Sequence, residues 1–106
     1  MFHSTINDIQ GYKIKEVLGV VRGNSVRAKW IGADFVAGLK NLTGGELTQY
    51  MDLLTEAREN AIIRMDEDAK KLGANGIIGM RFMTSQIAQG AAEILVYGTA
   101  VILEKK

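Results

Sequence analysis

The chain has no cysteine, no proline and a single histidine, and aromatic residues make up only 7% of its 106 positions. Without thiols there is no disulfide framework, no thiolate nucleophile and no cysteine metal site. Without proline no segment is a stiff spacer. A surplus of one charge is missing too. Thirteen Lys and Arg stand against twelve Asp and Glu, a formal charge of +1, so nothing points to nucleic acid or an anionic membrane as a partner. No window approaches the ~20 apolar residues that cross a bilayer. The opening Met1-Phe2-His3-Ser4-Thr5-Ile6-Asn7-Asp8 lacks the basic start and apolar run of a signal peptide, so the reading expects a cytoplasmic protein.

What is present is ordinary globular material, 47% hydrophobic and 24% charged. At this length it makes one domain over residues 1–106, because a second core would leave each half too short to fold. Ile14-Lys15-Glu16-Val17-Leu18-Gly19-Val20-Val21 reads as a strand buried on both faces after Glu16. Gly23-Asn24-Ser25 punctuates it, with Val26 to Trp30 continuing after a bend or bulge. Ile31, Phe35, Leu39 and Leu42 recur at helical spacing, predicting a short helix over 33–41.

Thr43-Gly44-Gly45-Glu46 has capping-box spacing, which opens a long helix running to Leu72. Its stripe is Leu47, Tyr50, Leu54, Ala57, Ala61, Met65 and Leu72. Asp66 with Lys70 and Glu67 with Lys71 are i,i+4 pairs worth ~0.3 kcal/mol each, and Gly73 suits the left-handed residue that closes the helix. Ile77 to Met83 is a further strand, Thr84 to Ala92 a polar connection, and Glu93 to Leu103 a nearly unbroken apolar strand. A strand without a polar face belongs in mid-sheet, so the last strand lies between the other two and antiparallel to both. A right-handed crossover makes those two parallel. The fold class is α+β, and the mid-strand glycines Gly19, Gly79 and Gly98 are expected to let helix and sheet approach.

Helices on one face of so small a sheet leave the other bare, and that face is not polar. Leu18, Val20, Ile78, Met80, Phe82 and the last strand carry too many apolar side chains for one copy to cover. Each gains roughly 1.5–3 kcal/mol on burial, so exposing five or six would offset a marginal domain's stability. A homo-oligomer built by sheet packing is expected.

Candidate chemistry is sparse. His3 is the one imidazole that could contribute to a metal site, and only if an oligomer gathers several copies. Asp52, Glu56, Glu59, Asp66 and Glu67 lie off the apolar stripe and read as a solvated face; as metal ligands they would suit magnesium or calcium. Ser4, Thr5, Ser25, Thr84 and Ser85 have no activating partner at recognisable spacing, so no catalytic residue is assigned and the chain is read as a non-enzyme. Gly44-Gly45 reads as a hinge rather than an anion site, and Arg22, Arg27, Lys29 and Trp30 form too small a cluster for a nucleic-acid module. Met51, Met65, Met80 and Met83 read as core fillers. The rival reading is a small-molecule carrier or enzyme whose site forms between subunits, with Tyr50, Arg58 and Arg81 converging from different copies.

The stretches Val17-Leu18-Gly19-Val20-Val21, Gly44-Gly45-Glu46, Glu56-Ala57-Arg58, Leu72-Gly73-Ala74-Asn75-Gly76-Ile77-Ile78-Gly79 and Tyr97-Gly98-Thr99-Ala100-Val101 together resemble the YbjQ-like family of small bacterial proteins, labelled a heavy-metal-binding domain. The resemblance covers nearly the whole chain. It implies a dodecin-like β-α-β-β subunit assembled as a ring, a pentamer, with Phe2 to Thr5 as an extra strand in assembly. It also implies a divalent metal ion as cofactor, although soft-metal capture ordinarily uses thiolates or imidazoles.

Overall fold

The computed structural model describes residues 1–28, 44–88 and 91–106. Among the described residues four strands and one helix follow in the order β1 (Phe2–His3), β2 (Tyr12–Ala28), α1 (Gly44–Lys71), β3 (Gly76–Ala88) and β4 (Ala91–Lys105). The sheet order is β1-β3-β4-β2. β4 is central and antiparallel to both long neighbours, as its unbroken apolar run required. β1 pairs parallel to the start of β3, so the Phe2–Thr5 stretch supplies a short strand. The helix expected over 33–41 lies outside the described residues.

Two strands are longer than their sequences suggest. β2 runs unbroken through Gly23-Asn24-Ser25, and its irregularities fall earlier, between Ile14 and Glu16 and between Val17 and Gly19. β3 continues through Thr84, Ser85 and Gln86, which pair with Ile94, Glu93 and Ala92. The polar connection expected from Thr84 to Ala92 is therefore mostly hairpin. Polar side chains take the strand state here because β4 supplies their ladder partners.

α1 opens at Gly44 and lies over β2 and β4. Ala57, Ala61, Met65 and Ala69 from the helix meet Val21, Ile77, Ile94, Val96 and Ala100 from the sheet. The close approach between the layers is made at Gly23, where a Cβ would run into the Ala61 carbonyl oxygen and the Met65 amide nitrogen. Gly19, Gly79 and Gly98 do not serve that purpose. Gly19 has open space around it, Gly79 sits at an irregularity of β3, and a Cβ at Gly98 would meet Ile77 Cγ2 at 2.6 Å in the neighbouring strand.

Helix and sheet are joined by Leu72-Gly73-Ala74-Asn75-Gly76. Gly73 takes φ 84°, the left-handed turn after a helix that glycine adopts without strain. Asn75 then pairs its side chain with the Leu103 main chain, accepting from its N–H at 2.7 Å and donating to its carbonyl at 3.0 Å. This registers β3 against β4 before the ladder begins. The radius of gyration is 16.8 Å and the longest extent 52 Å. A compact chain of this length has a radius near ~13 Å, so the fold is elongated.

Candidate functional site

The sheet face away from α1 divides into a covered end and an open end. At the covered end Ile78, Val101 and Leu103 are buried beneath Ile9 and Tyr12, and Phe2 stacks near Tyr12 with ring centroids 4.8 Å apart. Side chains directly opposite in an antiparallel ladder share a face. The pairs Val20↔Thr99, Arg22↔Tyr97, Asn24↔Leu95 and Val26↔Glu93, with Arg81↔Tyr97, Met83↔Leu95 and Ser85↔Glu93 beyond, therefore make one surface. On it Val20 is 76% exposed, Val17 62% and Met83 54%, with Val26 and Tyr97 also exposed.

Within this surface Arg22, Asn24, Glu93 and Leu95 line a half-open depression of about 340 Å³. Asn24 Nδ2 donates to Glu93 Oε2 at 3.2 Å, which fixes the amide and carboxylate edge to edge. No acidic side chain among the described residues comes within 4 Å of the Arg22 guanidinium. The hollow thus carries one guanidinium and one carboxylate beside an amide and the Leu95 side chain, a lining of no net charge that suits a small polar molecule with both donor and acceptor groups. The alternation of β2 and β4 carries the signal for it, legible only once β2 is read through Gly23.

His3 reaches the helix through one ring nitrogen. Its Nε2–H donates to Asp66 Oδ1 at 2.6 Å, with both side chains partly exposed. Asp66, expected to pair with Lys70, is turned to β1 instead, and the Glu67–Lys71 pair is not formed. Among the described residues no group of three His, Cys, Asp or Glu side chains stands close enough to hold a metal ion. With no thiol, a single imidazole and no cluster of ligating side chains, the described residues of one chain do not fit a heavy-metal site.

The other candidates are dispersed. Arg81 Nη1 donates to the carbonyls of Thr5, at 2.6 Å, and Met80, so it ties the N-terminal segment to β3. Arg58 is exposed on the helix, and the side chain of Tyr50, like Lys29 and Trp30, lies outside the description. Ser25 is fully buried, and its Oγ has no partner among the described residues, so it cannot reach a substrate. Met65 is a core filler, whereas Met51 and Met83 are exposed. No helix of the described residues is long and apolar enough to cross a membrane.

Among the described residues these features define a small α+β fold with a mixed four-strand sheet, a long helix and a half-covered face. The chain belongs to the family YbjQ_1, described as "Putative heavy-metal-binding", whose sequence model matches residues 1–104. It is 54% identical over 101 residues to a protein named UPF0145 from Thermus thermophilus, covering 95% of this chain and 89% of that one. A UPF0145 protein of Thermosipho melanesiensis is 54% identical over 106 residues, covering 100% of this chain and 98% of the relative. Neither name states an activity. The same fold occurs in the crystal structure of a protein of unknown function, of the DUF74 family, from Pediococcus pentosaceus; it has a TM-score of 0.65, 20% identity and 98% coverage of both chains.

Proposed function

We propose that this chain is a non-enzymatic cytoplasmic homo-oligomer, a ring of five as the family resemblance implies, that binds or scaffolds through surfaces completed by its own copies. The observation that carries the reading is the open sheet face. Val20, Val26, Met83 and Tyr97 stand exposed on it, interleaved with Arg22, Asn24 and Glu93, and apolar side chains left bare on a sheet face with a polar rim support an interface. Native mass spectrometry tests it. Several copies in one particle support the reading, and a single-copy particle contradicts it.

The depression at Arg22, Asn24, Glu93 and Leu95 favours a second reading, a carrier of small polar molecules whose pocket is closed by a neighbouring copy. A small polar molecule retained through native mass spectrometry, and lost from Arg22→Ala without loss of copy number, would support it. A heavy metal enters neither reading as a group held within one chain.

A further inference from the structure

Asparagine precedes glycine once in the chain, at Asn75-Gly76, where the turn after α1 enters β3. As a sequence this pair is reactive. Glycine has no side chain to shield its main-chain nitrogen, and the preceding carboxamide carbon lies within reach of that nitrogen to close a cyclic imide. Packing demands the glycine all the same. A Cβ at Gly76 would meet Leu103 Cδ1 at 2.5 Å and Val101 Cγ2 at 3.5 Å, so the approach of β3 to β4 brings the labile pair with it.

The fold engages every polar group of Asn75. Its Nδ2 donates to the Leu103 carbonyl at 3.0 Å, and its Oδ1 accepts from the Leu103 N–H at 2.7 Å. The Asn75 N–H donates to the Val101 carbonyl at 3.2 Å, and its own carbonyl accepts from the Phe2 N–H at 3.0 Å. Gly76 is paired on both sides, opposite Val101 of β4 and Phe2 of β1. Cyclisation needs Cγ and the Gly76 nitrogen to swing together, which breaks both bonds to Leu103. Reaction therefore belongs to states in which this corner has opened. β1 is two residues long and β3 starts here, so the corner is an end of the ladder, where local opening costs least.

We propose that Asn75 is a site of spontaneous covalent modification, gated by opening of the corner where β1, β3 and β4 meet. The Gly76 nitrogen gives up its proton and bonds to Asn75 Cγ, and Nδ2 departs with that proton as ammonia. Water then opens the imide at either carbonyl, leaving an aspartyl residue or an isoaspartyl one whose main chain runs through the side chain. Nothing is oxidised or reduced, and water is the one co-reactant. Once ionised, either product is an acceptor only. An oxygen then faces the Leu103 carbonyl in a partly buried place where Nδ2–H had donated. The pairing cannot re-form, so a long-lived opening leaves a permanent weakening between β3 and β4.

The full chain, held at mildly alkaline pH both folded and in urea and then mapped by peptide mass spectrometry, tests this. Peptides carrying position 75 should convert in urea and at least about tenfold more slowly in the folded protein, because the open fraction scales the folded rate. Gly76→Ala should slow conversion in urea, since its methyl shields the attacking nitrogen. Asn75→Asp should unfold at a lower urea concentration than wild type and exchange hydrogen faster at the start of β3. An Asn75→Asp chain that fails to fold supports the same consequence, and the rate comparison on wild-type protein stands without it. Equal rates in folded and unfolded protein would overturn the gating. No conversion in urea would overturn the site, and an unchanged midpoint for Asn75→Asp would overturn the weakening.

Discussion

The Asp68 carboxylate lies 3.3 Å from the main-chain N–H of Arg22, and Arg64, one helical turn earlier, reaches the carbonyl of Asn24 on the same strand edge. Two helix side chains of opposite charge thus satisfy a donor and an acceptor that would otherwise recruit a foreign strand. Removing both in Arg64→Ala/Asp68→Ala should cost about 1–2 kcal/mol by urea titration, because the bonds are exposed and partly replaced by water. The variant should also form species larger than the native assembly. Unchanged stability and unchanged mass would show that these contacts guard nothing.

Gly23 is where the two layers touch, so Gly23→Ala should destabilise by about 2 kcal/mol or more, since the added methyl meets helix backbone that cannot rotate away. Gly98→Ala should also be costly, through Ile77 and the Ile78 carbonyl at 3.0 Å. Denaturation midpoints for the two variants check both statements. A tolerated Gly23→Ala would mean that the helix rides higher on the sheet.

Ser25 has no exposed surface and an unpartnered hydroxyl among the described residues, so Ser25→Ala is expected to leave stability unchanged or raise it by up to about 1 kcal/mol. A loss larger than that, measured by thermal unfolding, would reveal a partner for the hydroxyl.

The sequence made the strand order legible because Glu93–Leu103 has no polar face, which leaves the middle of the sheet as its place. It made the end of α1 legible through Gly73. It hid the inner half of β2 because Gly23-Asn24-Ser25 looks like a turn. In the fold Gly23 is small for the helix, Ser25 is buried in the same layer, and Asn24 faces the depression. The outer half of β3 was hidden for a different reason. Thr84, Ser85 and Gln86 take strand geometry from their partners on β4, and local composition does not record a partner. The depression depends on both hidden stretches of pairing, so it was not legible either.

The bond between His3 and Asp66 bears on metal binding. Tag-free protein analysed for zinc, copper and nickel should carry well under one ion per chain, and His3→Ala should not change that content. The same substitution should lower stability by no more than about 1 kcal/mol, since both partners are partly exposed, and should speed exchange at β1. A stoichiometric metal lost with His3 would overturn this account of the site.

The account stands on the open face needing cover. Val96 cannot test it, because it is fully buried under the helix and Val96→Asp would simply unfold the chain. Val20 and Tyr97 can, since each is exposed in the single chain. The most direct measurement is the mass of the wild-type protein and of Val20→Lys/Tyr97→Lys by multi-angle light scattering at micromolar concentration. The account predicts a wild-type particle several times 11.6 kDa and a folded double variant of lower mass. A wild-type particle of 11.6 kDa, monodisperse and folded, would contradict it.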